Sequence, residues 1–357
     1  MESQSKSFRY ILLTDVETYL GHNLALYLLT TVNDRPGKLK KHWKVRVLCR
    51  NRDKVADLEQ LGADVQIVNY DNLQLLCNCM KDVKCMILVP SMSRNRLAEG
   101  QLLIDAAAAM NVKSTVMMSI CGESLSSGQN NPIGEYRALE DHLRTKYSFG
   151  RWCILRAAFF HQYFYYWSRM IEERGELGMP LPAEDSMLTV GIMDVCNAVG
   201  NLILGSKKQI LEDNREDEEE DYGLSAAVST RMFSLTGPHN YSGNALVHRL
   251  NQIFEGDGEI KYTETSTDDM RKYLESMTMQ TTDITRLESN VPGFLPDPQQ
   301  FLNMEEIDLM MNFFDVIKSW HRGRLTSDVA HLTGRDPMDL LDFFEEHKQQ
   351  FRRPGNN

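Results

Sequence analysis

Hydrophobic residues in the first half of the chain fall into short unbroken runs separated by longer amphipathic stretches. Phe8–Thr14 (FRYILLT), Lys44–Cys49 (KVRVLC), Val65–Val68, Cys85–Val89, Ser114–Met118 and Trp152–Arg156 are such runs. Short apolar runs of this kind predict strands buried on both faces. Between them, Asn23–Val32 carries Leu24, Leu26, Tyr27, Leu28 and Leu29 at helical spacing, and Asp53–Leu61, Asn72–Lys81, Ala98–Met110 and Ile133–Thr145 also read as helices. Strands alternating with helices imply a parallel sheet, because each parallel neighbour needs a crossover. The expected fold class is therefore α/β, a Rossmann-type doubly wound parallel sheet, over residues 1–165.

Past the aromatic segment Phe159–Trp167 (FFHQYFYYW) the alternation stops. Two strand-like stretches, Leu188–Val190 and Met232–Thr236, flank a helix at Asp194–Leu204 and are expected to return to the main sheet. Helices are predicted at Asn244–Phe254 and Thr267–Ser276, then at Met304–Trp320 and Pro337–Phe351 after the proline-rich stretch Val291–Pro298. Residues 166–357 thus read as a smaller, mainly helical substrate or partner domain. The block Glu212–Asp221 (EDNREDEEED) has no apolar residue to bury and is expected to be a disordered surface insertion.

Composition narrows the function classes. With 42% hydrophobic and 25% charged residues the chain is ordinarily globular. No apolar run reaches the length of about 20 residues that crosses a bilayer, so no membrane association is expected. A net charge of -11 opposes nucleic-acid phosphates, and the basic run Arg35–Lys44 reads as a solvated loop; direct nucleic-acid binding is not expected. The seven cysteines form no CxxC pair and sit mostly in apolar runs, so buried thiols are expected, with neither a metal site nor a disulfide framework. The expected location is the cytoplasm; nuclear entry stays open, because Lys38–Lys44 is too ordinary to count as a signal.

The order of elements and several local signatures resemble the NmrA-like group of atypical short-chain dehydrogenases over nearly the whole chain. The most specific stretch is Val45–Asp71 (VRVLCRNRDKVADLEQLGADVQIVNYD), supported by Gly100–Val116, by Leu155–Phe160 (LRAAFF), and by Leu332–Pro337 (LTGRDP) before the final helix. The resemblance implies a dinucleotide held by the turn after the first strand, where the family pattern is T-G-A-T-G-x-x-G. Glycines there let backbone amides reach the pyrophosphate at a helix N-terminus.

In this chain Thr14 keeps the first position of that pattern and Gly21 the last. Asp15 and Thr18 replace the two other glycines, and Glu17 replaces the threonine. Thr18 puts a β-branched side chain where the phosphate approaches. A like-charge pair about 4 Å apart costs roughly 1 kcal/mol in water and about 4 at an effective dielectric of 20. NADP(H) binding is accordingly expected to be weak or absent. In the alternative reading both carboxylates turn to solvent or cap the helix, leaving the site usable. Arg50, with Arg52 and Lys54 behind it, stands where a ribose 2′-phosphate would select NADP over NAD. Asp71, Pro90 and Ser91 match positions that line the adenine and nicotinamide-ribose sides in similar proteins.

The resemblance also implies where catalysis would sit. Ordinary short-chain reductases pair a tyrosine with a lysine four residues on, but Tyr136 is followed at that spacing by Glu140. NmrA-like reductases often place a lysine four residues before a glutamate; here Tyr136 takes that place, beside Arg137. Ser119, Tyr136 and Arg137 are the candidate catalytic residues, and Phe160, His161 and Tyr163 the candidate substrate pocket. Two functions are expected to compete. One is a regulatory or redox-sensor protein that binds a protein partner such as a transcription regulator. The other is an NADP-dependent reductase of a small organic substrate.

Overall fold

The computed structural model describes residues 8–34, 43–122, 131–204, 223–254, 258–278, 298–320 and 324–351. The basic run up to residue 42, the acidic block 212–221 and the proline-rich residues 291–297 lie outside them. The first six strands are β1 (Arg9–Leu13), β2 (Trp43–Cys49), β3 (Asp64–Ile67), β4 (Val83–Leu88), β5 (Ser114–Ile120) and β6 (Arg151–Ala157). With β10 (Arg231–Leu235) they form one seven-stranded sheet in the order β10-β6-β5-β4-β1-β2-β3. Every neighbouring pair is parallel. The order reverses direction between β1 and β4, which makes the sheet doubly wound with a switch point beside β1.

Successive strand residues face opposite sides, and the chain fills both. Ile11, Leu13, Val47, Ile87 and Val116 join one core cluster, while Leu12, Leu48, Met86, Leu88 and Met117 join another. On the first side α1 (Tyr19–Asp34) packs against α7 (Ile192–Leu204). On the second, α3 (Leu73–Cys79), α4 (Arg96–Ala109) and α5 (Pro132–Lys146) pack in series. These are the layers that the apolar runs and helical periodicities imply.

The later part folds onto the first face. After β7 (Phe159–Phe160) and the 3-10 segment His161–Trp167 come α6 (Ser168–Arg174), β8 (Glu176–Met179) and β9 (Ser186–Val190). Beyond α7 and β10 follow β11 (Asn240–Ser242), α8 (Gly243–Ile253), β12 (Lys261–Glu264), α9 (Thr267–Thr278) and α10 (Met304–Trp320). The described chain ends with α11 (Asp328–Thr333) and α12 (Leu340–Glu346). Strands β11, β9 and β7 form a small sheet of their own, and β12 pairs with β8. Of the two late strands expected to return to the main sheet, β10 does so and β9 instead joins β7 and β11.

Two helices differ from their sequence patterns. The stretch expected as one helix from Asp53 opens as a 3-10 turn, Arg52–Val55, before the short α2 (Ala56–Gln60). The stretch expected as a helix from Pro337 begins only at Leu340, because Asp339 is extended and its side chain accepts from the Leu341 amide as an N-cap. The aromatic segment is buried throughout, with Phe159 5.6 Å from Phe313 and Phe164 5.3 Å from Phe344, ring centre to ring centre. That packing brings α10 over the carboxyl ends of the central strands.

Candidate functional site

The turn between β1 and α1 closes on itself. Asp15 adopts a left-handed backbone, φ 48°, a conformation that Asp tolerates better than most residues. Its amide donates to the Tyr70 hydroxyl at 3.0 Å, and that hydroxyl donates to the Leu48 carbonyl at 3.1 Å. The Thr18 hydroxyl donates to the Asp15 carbonyl at 2.9 Å and accepts from the Gly21 amide at 3.2 Å. Thr14 is tied to β4 by its hydroxyl, which donates to the Val89 carbonyl at 2.8 Å and accepts from the Val89 amide at 2.9 Å. A Cβ at position 21 would lie 2.3 Å from the Asp15 carbonyl oxygen. The retained glycine is therefore required by the turn's own packing.

Of the two carboxylates, Asp15 points inward and Glu17 is half-buried. Asp15 accepts from the Met92 amide at 3.0 Å and from the Arg50 guanidinium at 3.2 Å. The other side of that guanidinium meets Glu99 of α4 at 2.7 Å, while Glu17 accepts from the Arg50 amide at 2.5 Å. Glu99 also takes hydrogen bonds from the hydroxyls of Ser91 and, at 2.9 Å, Ser93. Arg50 lies over the Tyr70 ring, 4.5 Å from its centre. Burial pushes the Asp15 carboxyl up to about 6, against the lowering influence of Arg50. Burial also raises Glu99, but Ser91, Arg50 and Ser93 outweigh it and hold this carboxyl below its ordinary value.

Several groups that a pyrophosphate would meet at this turn are already engaged. The amides of Asp15 and Gly21 are spent on Tyr70 and Thr18, and the cation that would meet a ribose phosphate is bound by Asp15 and Glu99. An incoming phosphate would face Asp15, Glu17 and Glu99 with Arg50 already neutralised by two of them. Each like-charge contact works against binding by roughly 1 to 4 kcal/mol over the usual range of dielectric.

Beyond the turn the carboxyl edge of β4, β5 and β6 opens into an apolar cleft. Thr18 and Tyr19 form its wall at the start of α1, Val89, Pro90 and Met92 follow β4, and Ser119 and Ile120 end β5. Tyr136 of α5 and the aromatic residues Phe159, Phe160 and Tyr163 line the far side. Helix α10 covers the cleft with Leu309, Met310 and Phe313, and with one acidic side chain, Glu306. Glu306 is 2% exposed and accepts from the Tyr163 hydroxyl at 2.8 Å. Burial pushes its carboxyl up to about 7, despite the hydrogen bond from Tyr163. Burial, followed by the neighbouring Glu306 charge, raises the Tyr163 phenol far above its ordinary range. Shifted groups facing a cleft mark it as a candidate functional site.

The three candidate catalytic residues are divided by their contacts. Tyr136 lines the cleft and lies under the Arg96 guanidinium, 5.4 Å from its ring centre. Arg96 itself is buried, donating to the Ser91 carbonyl at 2.9 Å and pairing with Glu135 at 2.7 Å. Ser119 donates to Glu140 at 2.6 Å. Glu140 also receives Arg137 and, at 3.0 and 2.6 Å, two nitrogens of Arg156. Arg137 turns its remaining donors onto the carbonyls of Ile120, 2.6 Å away, and Gly122, 2.8 Å away. Ser119, at the cleft wall, and Arg137 behind it are thus bound into a four-residue network with Glu140 and Arg156.

The remaining candidates separate in the same way. Phe160 and Tyr163 line the cleft, whereas His161 points into the protein beside Thr189, its Nε2 3.0 Å from the threonine hydroxyl. Burial lowers its pKa to about 3, so the imidazole is neutral. Asp71 is exposed, one residue past the buried Tyr70. Glu306 is absent from the sequence-level candidates, yet it falls on the apolar face of α10 at the helical spacing 306, 309, 310, 313 and 317. A charged residue within such a stripe was the available signal. Among the described residues no group of His, Cys, Asp and Glu could hold a metal ion, and no helix is long and apolar enough to cross a membrane.

No protein-family model matches the sequence, and no curated protein matches it significantly. Solved structures do. The triphenylmethane reductase of Citrobacter sp., in complex with NADP(H), superposes with a TM-score of 0.68 at 13% identity, covering 96% of this chain and 100% of that one. An NADPH-dependent quinone oxidoreductase of Escherichia coli, in complex with NADPH, gives 0.66 at 16%, covering 94% and 99%. NmrA, a negative transcriptional regulator in complex with NAD, gives 0.60 at 11%, covering 96% and 95%. The chain therefore shares its fold with these proteins, which include two reductases and a transcriptional regulator.

Proposed function

We propose that this protein is an NmrA-like regulatory or sensor protein that binds a small molecule in its apolar cleft and signals to a protein partner, with weak or absent NADP(H) binding. One observation carries the reading: Arg50, the cation placed to meet a nucleotide phosphate, is bound instead by Asp15 and Glu99 of the same chain. The closed turn and the network that occupies Ser119 and Arg137 support it, since both remove groups a reductase would use. The structural likeness to NmrA, a negative transcriptional regulator, supports the regulatory role.

Calorimetric titration with NADPH, NADP+, NADH and NAD+ tests the proposal. Dissociation constants of millimolar or weaker are expected for all four. Micromolar binding of NADPH, with hydride transfer to a quinone or a triphenylmethane dye, would overturn it. That outcome is what the second reading, an NADPH-dependent reductase of a small organic substrate, requires. The second reading is favoured by Tyr136, which faces the cleft and could present a phenolic proton there.

A further inference from the structure

The apolar cleft holds a carboxyl group for which the described chain provides no cation. Glu306 is 2% exposed, and its one side-chain partner in the cleft is the neutral hydroxyl of Tyr163, 2.8 Å away. Two arginines of this region are committed elsewhere. Arg94 pairs at the rim with the adjacent Glu305, 3.7 Å away, and Arg96 is paired with Glu135 on the far side of Tyr136. Burying an unpaired carboxylate costs several kcal/mol, and a folded chain keeps such a group readily where a ligand supplies the missing charge.

The walls favour the same occupant. Tyr19, Tyr136, Phe159, Phe160, Tyr163 and Phe313 surround the cleft, and aromatic faces attract cations, more strongly where water is excluded. At Tyr136 the positive influence of Arg96 precedes those of Asp15 and Glu306, so the negative end of the cleft is the one at Glu306. An anionic ligand would meet repulsion there. A neutral apolar ligand would leave the carboxyl unpaired.

We infer that the cleft is a receptor site for a flat, hydrophobic organic cation, such as a quaternary or protonated nitrogen heterocycle, with Glu306 as its counter-charge. The inference rests on the proposed ligand-binding role and specifies the ligand's chemistry.

A matched set of two-ring probes tests it: 1-methylquinolinium, 1-methylnaphthalene and 1-naphthoate, titrated into the full chain and followed by quenching of intrinsic fluorescence. The cation is expected to bind about ten-fold or more tighter than the neutral isostere, and the anion weakest. In Glu306→Gln the ratio of cation to neutral affinity should fall to about one. In Tyr163→Phe, which keeps the carboxyl and removes only its donor, the preference should persist. Equal affinity for cation and neutral probe, a preference unchanged by Glu306→Gln, or no binding of any probe would each overturn the inference. Titrating NADPH alongside separates the two proposals. Micromolar NADPH binding with hydride transfer to a quinone or dye defeats the regulatory reading, whereas failure of the probes without NADPH binding defeats only the ligand assignment.

Discussion

Arg50 and Asp15 form an ion pair, 3.2 Å between Nη1 and Oδ1, across the place where a dinucleotide fold brings phosphate to its glycine turn. In the proposed reading this arginine is the residue that would meet a 2′-phosphate, and Asp15 has taken its charge. The same carboxylate accepts from the Met92 amide, so the turn is bridged to the segment after β4.

Releasing that arginine from one of its two carboxylates, with Glu99 still in place, should raise nucleotide affinity. In the double variant Asp15→Gly, Thr18→Gly the left-handed position regains a glycine, and the hydroxyl that caps the Gly21 amide is removed. Removing one like charge at a phosphate is worth roughly 1 to 4 kcal/mol. Calorimetry should therefore show NADPH binding at least about ten-fold tighter than in the parent. Adding Arg50→Ala should then weaken NADPH more than NADH. An unchanged NADPH affinity in the double variant would refute the electrostatic account of the turn.

Gly21 should tolerate no side chain despite the loss of its partner glycines. Its Cβ would sit 2.3 Å from a backbone oxygen of Asp15, an atom fixed by the Thr18 hydroxyl and amide. Overpacking of this kind costs about 1 to 3 kcal/mol. Urea denaturation of Gly21→Ala should show that loss, and a stability equal to the parent's would mean the turn relaxes freely.

How much of this was legible in the sequence depends on the range of the interaction. The parallel sheet follows from runs such as Cys85–Val89, because a strand with Met86 and Ile87 facing opposite cores must be apolar throughout. The turn was legible because Thr14 and Gly21 keep their spacing. The direction of the Asp15 side chain was not, since its partners Arg50 and Met92 lie 35 and 77 residues away. Glu306 and Tyr163 are 143 residues apart, and only the packing of α10 joins them. Strands β7 and β11, of two and three residues, are too short for any alternation to show.

Glu140 should be among the costliest side chains to remove. It is 1% exposed and receives Ser119, Arg137 and Arg156, so Glu140→Ala leaves two guanidinium groups without their shared counter-charge. Breaking a buried pair from one side costs about 3 to 5 kcal/mol. Denaturant unfolding of Glu140→Ala should lose that amount, with Glu140→Asp losing less. A loss within about 0.5 kcal/mol, typical of a surface site, would show that the arginines find water instead.

The two raised carboxyls give stability a pH dependence of definite sign. Asp15 rises from 3.8 to about 6 and Glu306 from 4.5 to about 7, both chiefly through burial. Between each ordinary value and its raised one the folded chain holds a proton that the unfolded chain has released. These two groups therefore make folding less favourable as pH rises from about 4 to about 7, the loss being complete above that range. For Glu306 the shift corresponds to about 3 kcal/mol. Glu306→Gln keeps an acceptor for the Tyr163 hydroxyl and has no charge to bury. Its stability relative to the parent should therefore climb between about pH 5 and pH 8 in urea denaturation run at both. A gap of equal size at the two pH values would show that Glu306 titrates normally, and that water reaches it from the mouth of the cleft.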